Sequence, residues 1–340
     1  APSSEFLPLS FSQQRLWFLD RLSPGTSSYN MPTALRLNGP LDLPALQSAI
    51  DELVRRHEPL RTTFPSFEGV PVQHILPAAS LPLRLSDFSG LESAERERAV
   101  KAEMAEEAAR PFDLAGGPML RAKVLRLGEE EHVVMLTMHH IVSDGWSMGI
   151  VVREISTLYR AFSKGVPSPL PELPVQYAEY ALWQREWLQG EALEEQLSYW
   201  REQLSGAPPV IELPTDRPRP AVQTYRGASH TFILSPEICE GLKELSRRES
   251  VTLFMVLLAA FKVLLSRHAG QNDVSVGTPI AGRSRAEVEG LVGFFINTLV
   301  LRADLSGGPT FNELVARVKQ VCLEAYANQD LPFERLVQEL

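Results

Sequence analysis

The stretch that decides how this chain is read is Met138-His139-His140-Ile141-Val142-Ser143-Asp144-Gly145-Trp146-Ser147. Before it, Pro118 to Leu127 reads as a strand, Gly128 to Glu131 as a turn, and His132 to His140 as the partner strand. After it, Met148, Val151, Val152, Ile155, Leu158, Tyr159 and Phe162 recur at helical spacing. Two adjacent histidines therefore sit where a strand runs out into a Ser-Asp-Gly turn that opens a helix. Neighbouring side chains on a strand point to opposite faces, so His139 and His140 do not share one metal or one substrate. Val134, Leu136 and Met138 alternate with Val133, Met135 and Thr137, and this parity does not choose which histidine faces a cleft. One working histidine follows, not a pair. The bland alternative is a satisfied polar group near the core.

A chain of 340 residues is long enough for one large or two ordinary domains. Its 44% hydrophobic and 22% charged fractions are those of a globular protein. The longest apolar run, Leu253 to Leu265, is too short to span a bilayer and is broken by Lys262. No basic region followed by an apolar one marks the first residues as a secretory signal, and a cytoplasmic location is expected. A net charge of −9 with no basic stripe argues against a nucleic-acid partner. Cys239 and Cys322 are too few and too far apart for a metal cluster, and Cys322 reads as helix core. No phosphate-binding or dinucleotide glycine motif is present. No resident metal or covalently bound cofactor is expected.

Taken in order, Leu9 to Leu19 reads as a capped helix start. Asp42-Leu43-Pro44 caps a helix with Leu46, Ile50, Leu53 and Val54 on its apolar face. That helix ends in Arg56-His57-Glu58-Pro59-Leu60-Arg61-Thr62-Thr63-Phe64, where Arg61 enters an extended run and needs a partner if buried. A helix through Lys101 to Ala109 precedes the hairpin. The helix after Gly145 ends near Gly165, and the proline-rich run Val166 to Pro174 marks a boundary between two halves, 1–170 and 171–340. In the second half, a strand is expected over Tyr225 to Leu234, helices capped by Ser235 and Thr252, and a strand over Asp273 to Ile280.

His139-His140-Ile141-Val142-Ser143-Asp144-Gly145 is an HHxxxDG segment, and it resembles the signature of the condensation domains of nonribosomal peptide synthetases. Five other segments, in order, resemble that family's motifs. The first begins at Ser10, with Ser12 where alanine is usual. The second is Arg56 to Phe64. The fourth is Tyr177 to Trp183, with Glu179 for Asp and Leu182 for Val. The fifth is Val292 to Arg302, and the sixth Asn328 to Glu334. A seventh is absent, so the chain reads as C-terminally truncated.

The resemblance implies an α/β (α+β) fold of two chloramphenicol acetyltransferase-like lobes arranged as a V-shaped pseudodimer, the first carrying HHxxxDG. It implies an acyltransferase that joins a donor thioester to the amine of an acceptor thioester. Both would be held on phosphopantetheine arms of carrier proteins, beside an adenylation domain in a larger multidomain chain. The first and third motifs look most like domains that take an L-configured donor. Aligning two such reactants is worth about 7–11 kcal/mol, and a general base typically ~10²–10⁴-fold.

On the same resemblance, His140 is the catalytic histidine and His139 is structural. Asp144 is also what a helix N-cap calls for, and the family reading makes it the buried partner of an arginine, Arg61 first and Arg283 second. Gly145 offers close backbone approach and an N–H near a helix N-terminus. Trp146, Ser147 and Asn297 complete the site's surroundings, with Asn297 and Thr298 expected at the lobe interface. Two alternatives stay open: a non-catalytic module of this family that recruits tailoring enzymes, usually with a degraded HHxxxDG, and a CoA-dependent acyltransferase.

Overall fold

The computed structural model describes residues 6–218, 220–221 and 227–340. By compactness the chain divides into Ala1–Gln189 with Ala281–Ile296, and Gly190–Ile280 with Asn297–Leu340. The division falls after Gln189, beyond the proline-rich run at which the sequence places its boundary, and 281–296 counts with the first unit.

The first unit is built on a four-stranded sheet. Its strands are β2 (Asn30–Asn38), β6 (Leu83–Asp87), β7 (Leu120–Arg126) and β8 (Glu131–His139), in the order β2-β8-β7-β6. The β7–β8 hairpin expected from the sequence is present, in the register Leu120↔Met138, Ala122↔Leu136 and Val124↔Val134. β2 has no counterpart in the sequence reading; it pairs with the full length of β8, from Asn38↔Glu131 to Asn30↔His139. A small second sheet joins β1 (Leu7–Pro8), β3 (Thr62–Thr63) and β4 (Ser66–Phe67) to β5 (Val70–Ile75).

Helices α1 (Phe11–Leu22), α2 (Leu43–Arg56), α3 (Ser93–Ala109), α4 (Gly145–Phe162) and α5 (Tyr177–Trp187) complete this unit. Asp42 caps α2 by accepting the Ala45 N–H at 2.9 Å, and Ser10 caps α1 in a capping box with Gln13. Leu46, Ile50 and Leu53 of α2 pack with Ile150 and Val151 of α4 on Ala122, Val124, Val134, Leu136 and Met138. Val100 of α3 packs with Leu125, Val133 and Met135. β8 is therefore covered on both faces, and every residue from His132 to His139 is buried. This is why its parity carries no inside-outside signal.

In the second unit, α6 (Gly190–Leu204) is followed by α7 (Pro236–Arg248) and α8 (Leu253–Ala269), capped by Ser235 and Thr252 as expected. β9 (Asp273–Ile280) pairs antiparallel with β10 (Asn297–Asp304) along its whole length. Between them, within 281–296, lies the short α9 (Ala286–Glu289); α10 (Phe311–Ala327) and α11 (Phe333–Glu339) follow β10. The strand expected over Tyr225 to Leu234 is not formed: Tyr225 and Arg226 lie outside the described residues, and 227–234 carries no strand pairing. Its apolar end goes unused, with Phe232 71% and Ile233 93% exposed. Among the described residues no single helix is long and apolar enough to cross a membrane.

The core of the second unit holds a lysine. Lys262 on α8 is fully buried and donates to the Val274 carbonyl at 2.7 Å and the Leu301 carbonyl at 2.6 Å, one on each strand of the β9–β10 pair. Burial pulls its pKa down from 10.5 to about 8. Between pH 8 and 10.5 the unfolded chain then binds more protons than the folded one, so stability rises with pH across that window. Below pH 8 the whole cost, about 3 kcal/mol, is present. Urea unfolding at pH 7.5 and pH 9.5 is expected to show a higher midpoint at the higher pH, and Lys262→Met is expected to abolish most of that difference.

Candidate active site

β8 ends at His139, one residue earlier than the sequence reading, and His140 opens a 3₁₀ turn over His140–Val142. The turn sends the two imidazoles into different surroundings. His139 is 2% exposed, packed against Tyr29 and Phe112. Its Nδ1 accepts the Ile141 N–H at 3.1 Å, so its proton sits on Nε2. Burial, with His140 and Arg121 nearby, pushes its pKa down to about 3, and it is neutral at any physiological pH.

His140 is only partly buried and carries the opposite tautomer. The Ser143 carbonyl lies 2.9 Å from its Nδ1. A carbonyl can only accept, so Nδ1 donates and Nε2 keeps its lone pair. Burial lowers its pKa below the usual 6.5; the bond to Ser143 and the charge of Asp144 work against that shift. The backbone N–H of His140 is itself tied to the Tyr29 carbonyl at 2.9 Å.

Asp144 combines both roles open to it. Its Oδ1 accepts the Ser147 N–H at 2.7 Å, which is the N-cap of α4. The same carboxylate faces Arg283, whose Nη2 lies 3.3 Å from Oδ1 and 3.5 Å from Oδ2, and Oδ2 also accepts the Phe295 N–H at 3.1 Å. Both side chains are shut off from solvent, at 0% and 2% exposure. Arg61, the first choice from sequence, is elsewhere: it bonds Glu58 and the Leu76 carbonyl, close to where it leaves the 3₁₀ turn Glu58–Arg61. The carboxylate's bonds run to the cap, Arg283 and Phe295, whereas His140 Nδ1 is spent on Ser143; they do not form a carboxylate–histidine dyad.

Arg283 reaches further. Its Nη1 donates to the Val288 and Leu291 carbonyls, its Nη2 to Ser147 Oγ at 2.9 Å, and its guanidinium lies 4.0 Å over the Phe295 ring. Ser147 Oγ donates to the Gly293 carbonyl at 2.9 Å and accepts the Gly293 N–H at 3.1 Å. Gly293 has no room for a side chain, since a Cβ there would run into the Tyr177 ring. Gly282, at φ +63°, would drive one into the Phe295 carbonyl. Gly145 differs: it is exposed and a Cβ there meets nothing, so the protein's own packing does not demand glycine. Trp146 is half exposed, with Nε1 donating to the Glu289 carbonyl at 3.0 Å.

The other segments singled out in the sequence converge on this loop. Gln13 of α1 donates to the Ile141 carbonyl at 3.1 Å. Ser12 Oγ points to the Ile296 carbonyl at 3.5 Å, so the hydroxyl found in place of alanine is accommodated. Tyr177 donates to the Phe294 carbonyl at 2.6 Å and shares a 2.8 Å bond with Ser10 Oγ. Glu179, which stands for aspartate, accepts the Gln176 N–H at the start of α5. His57 Nδ1 accepts the Val292 N–H at 3.3 Å while its Nε2 lies 2.9 Å from Glu154, which also binds Arg56. Asn297 serves the second unit: it donates to the Gln329 and Leu331 carbonyls, both at 2.8 Å, and accepts the Phe333 N–H at 2.9 Å, fastening the sixth segment to β10.

The Condensation domain pattern matches residues 3–340. The chain belongs to the condensation domain family. It is 54% identical over 339 residues to one of the linear gramicidin synthase proteins of Brevibacillus parabrevis, which is 100% of this chain and 4% of that protein. It is 47% identical over 333 residues to Phosphinothricin tripeptide synthetase PhsC of Streptomyces viridochromogenes, 98% of this chain and 31% of that protein. It thus spans a small part of the curated relatives it matches. Among solved structures it is similar to the X-domain from teicoplanin biosynthesis (TM-score 0.91, 32% identity, 100% of this chain and 75% of that one). It is also similar to the first condensation domain of the CDA synthetase (TM-score 0.81, 26% identity, 99% and 80%). The α/β, chloramphenicol acetyltransferase-like fold expected from the sequence is the fold of this family.

What sequence reasoning missed in this condensation domain is Glu154 and the Ser147 clamp on Gly293; of the two arginines it offered Asp144, the partner is the second choice, Arg283. Glu154 lies in α4 three residues past Val151 and four before Leu158, on the helix's apolar stripe; a charge at that position, with the RHE segment's need for a buried anion, is the signal that could have flagged it. The ion pair has a direct test. Asparagine still caps a helix, so Asp144→Asn keeps the bond to Ser147 and strands Arg283 in the interior. A loss of about 3–5 kcal/mol is expected in chemical denaturation. Coupling with Arg283→Met in a double-mutant cycle should recover much of it, whereas additive losses would show the two charges to be independent.

Proposed function

We propose that this condensation domain forms an amide in nonribosomal peptide synthesis, with His140 as the group that handles the proton. The donor is an aminoacyl or peptidyl thioester and the acceptor the amine of a second aminoacyl thioester. Each is carried on the phosphopantetheine arm of a carrier protein, in a larger chain that includes an adenylation domain. In this reading residues 1–170 and 171–340 each supply one acetyltransferase-like lobe, and 281–296 is lent by the second to the first. The amine nitrogen attacks the donor carbonyl carbon, and His140 Nε2 takes the proton released as the N–C bond forms. The C–S bond then breaks, and the pantetheine sulfur leaves as a thiol, taking the proton that His140 held and returning the ring to its neutral form. An α-amino group titrates near pH ~8 and a thioester is already activated, so alignment and one proton transfer suffice.

The observation that carries the reading is the tautomer of His140. Nδ1 is held by Ser143, Nε2 bears the lone pair, and the lowered pKa keeps the ring neutral at pH 7. Asp144 acts by holding the loop, and Gly145, exposed at the first turn of α4, is the place where an oxyanion can approach backbone N–H groups.

A second reading, a module that recruits a tailoring enzyme, has one observation behind it, the likeness to the teicoplanin X-domain, which has also been solved in complex with OxyB. Carrier proteins loaded with aminoacyl-pantetheine separate the two. Intact-protein mass spectrometry is expected to show the acceptor carrier gaining the donor acyl mass with the wild-type domain and not with His140→Ala. Once the fall due to protonation of the acceptor amine, which titrates near pH ~8, is divided out, the rate should hold as pH falls to 6.5, because the neutral ring persists to a pH under its ordinary midpoint. No gain from any loaded pair, together with capture of a tailoring enzyme, would favour the second reading; a His140→Ala variant at near wild-type rate would leave His140 no proton role.

A further inference from the structure

The geometry points to Ser147 as a positioning residue that acts on His140 by holding Phe294 against it. This rests on the role of His140 proposed above. Ser147 is fully buried, and its hydroxyl uses its whole bonding capacity. It donates to the Gly293 carbonyl and accepts from the Gly293 N–H and Arg283 Nη2. Gly293 is thereby gripped on both polar atoms of one residue, with the Tyr177 ring filling the space where its Cβ would be.

The next residue is pinned on its far side as well. The Phe294 carbonyl accepts from Tyr177, and the Phe295 N–H donates to Asp144. With both flanking peptides fixed, the direction of the Phe294 Cα–Cβ bond is set. The Phe294 ring stands edge-on to the His140 imidazole, with ring centroids 5.1 Å apart and an interplanar angle of 66°. The ring does two things there. It fixes the tilt of the imidazole, and hence the line of Nε2, and it keeps water off one flank.

The groups around His140 define what else acts on it. Asp144 of the same loop favours the imidazolium, and Arg283 on the apposed segment answers that charge. His139 is neutral and buried; α1 presents the uncharged Gln13 to the loop, and the turn before β2 presents the Tyr29 carbonyl. Tyr177 is fully buried, its pKa raised by burial, and stays protonated. None of these depends on the Phe294 ring, so removing the ring tests its contribution alone.

The test uses two variants, Ser147→Ala and Phe294→Ala, with histidine-labelled protein. NMR titration of the His140 ring needs no substrate. Both variants are expected to move its midpoint up toward 6.5 and to lower kcat about tenfold with little change in KM for the acceptor. Phe294→Ala removes a partly buried ring from the edge of the core, so some loss of thermal stability is expected, but the ion-pair network does not include that ring and stays intact. An unchanged titration in either folded variant overturns the proposal, and if Ser147→Ala does not fold, Phe294→Ala decides alone. A shifted titration with unchanged kcat also overturns it where His140→Ala is inactive. If His140→Ala itself retains full activity, it is the proposed reaction role that has failed, and the titration still reports on the clamp.

Discussion

Everything at the centre of the first unit depends on a charge pair kept out of water. Asp144 and Arg283 are 139 residues apart in the chain and share one buried site. Taking a carboxylate and a guanidinium into the interior costs several kcal/mol each, and their attraction offsets this only when the remaining donors and acceptors are also met. Here the cap of α4, the Phe295 N–H, the Ser147 hydroxyl and the Val288 and Leu291 carbonyls meet all of them but Arg283 Nε. The pair's usefulness is geometric more than energetic. It holds the segment 281–296, whose flanking strands belong to the second unit, as part of the first.

That constraint explains why segments spread from Ser10 to Ile296 form one cluster. Tyr177, itself bonded to Ser10, holds the Phe294 carbonyl, Gln13 holds Ile141, and His57 holds Val292. Two stretches of backbone, the 3₁₀ turn after β8 and the 292–296 run, are thus locked where the partly buried His140 meets Phe294. Such a site is built in advance of any reactant, which is where binding energy is best spent on alignment. The two histidines show how finely the backbone sorts them. One residue of 3₁₀ geometry gives His139 a hydrogen on Nε2 and His140 a hydrogen on Nδ1, so one is inert core and the other presents a lone pair.

The fold is shared with both a condensation domain and an X-domain, and a fold by itself does not specify a reaction. What distinguishes a working site is local: the tautomer of one imidazole and the solidity of what holds it. The second unit carries its own buried amine, Lys262, bonded to one carbonyl on each of β9 and β10.

The chain by itself determined a good deal. Local chemistry marked the β7–β8 hairpin, the caps at Asp42, Ser235 and Thr252, and β9 to the residue, because turns, caps and strand ends are decided by near neighbours. The order of six motifs pointed to the family, and HHxxxDG to the loop that carries His140. Tertiary structure alone decided the rest. β2 and the buried Glu154 and Lys262 read as unremarkable or solvated in sequence, since a charge announces its burial only once its partners are in place. Strand parity could not separate His139 from His140, because β8 is covered on both faces and the 3₁₀ turn breaks the alternation between them. Arg283 rather than Arg61 became the partner of Asp144 because a contact between distant residues is set by where the backbone returns, and no spacing rule along the chain encodes that.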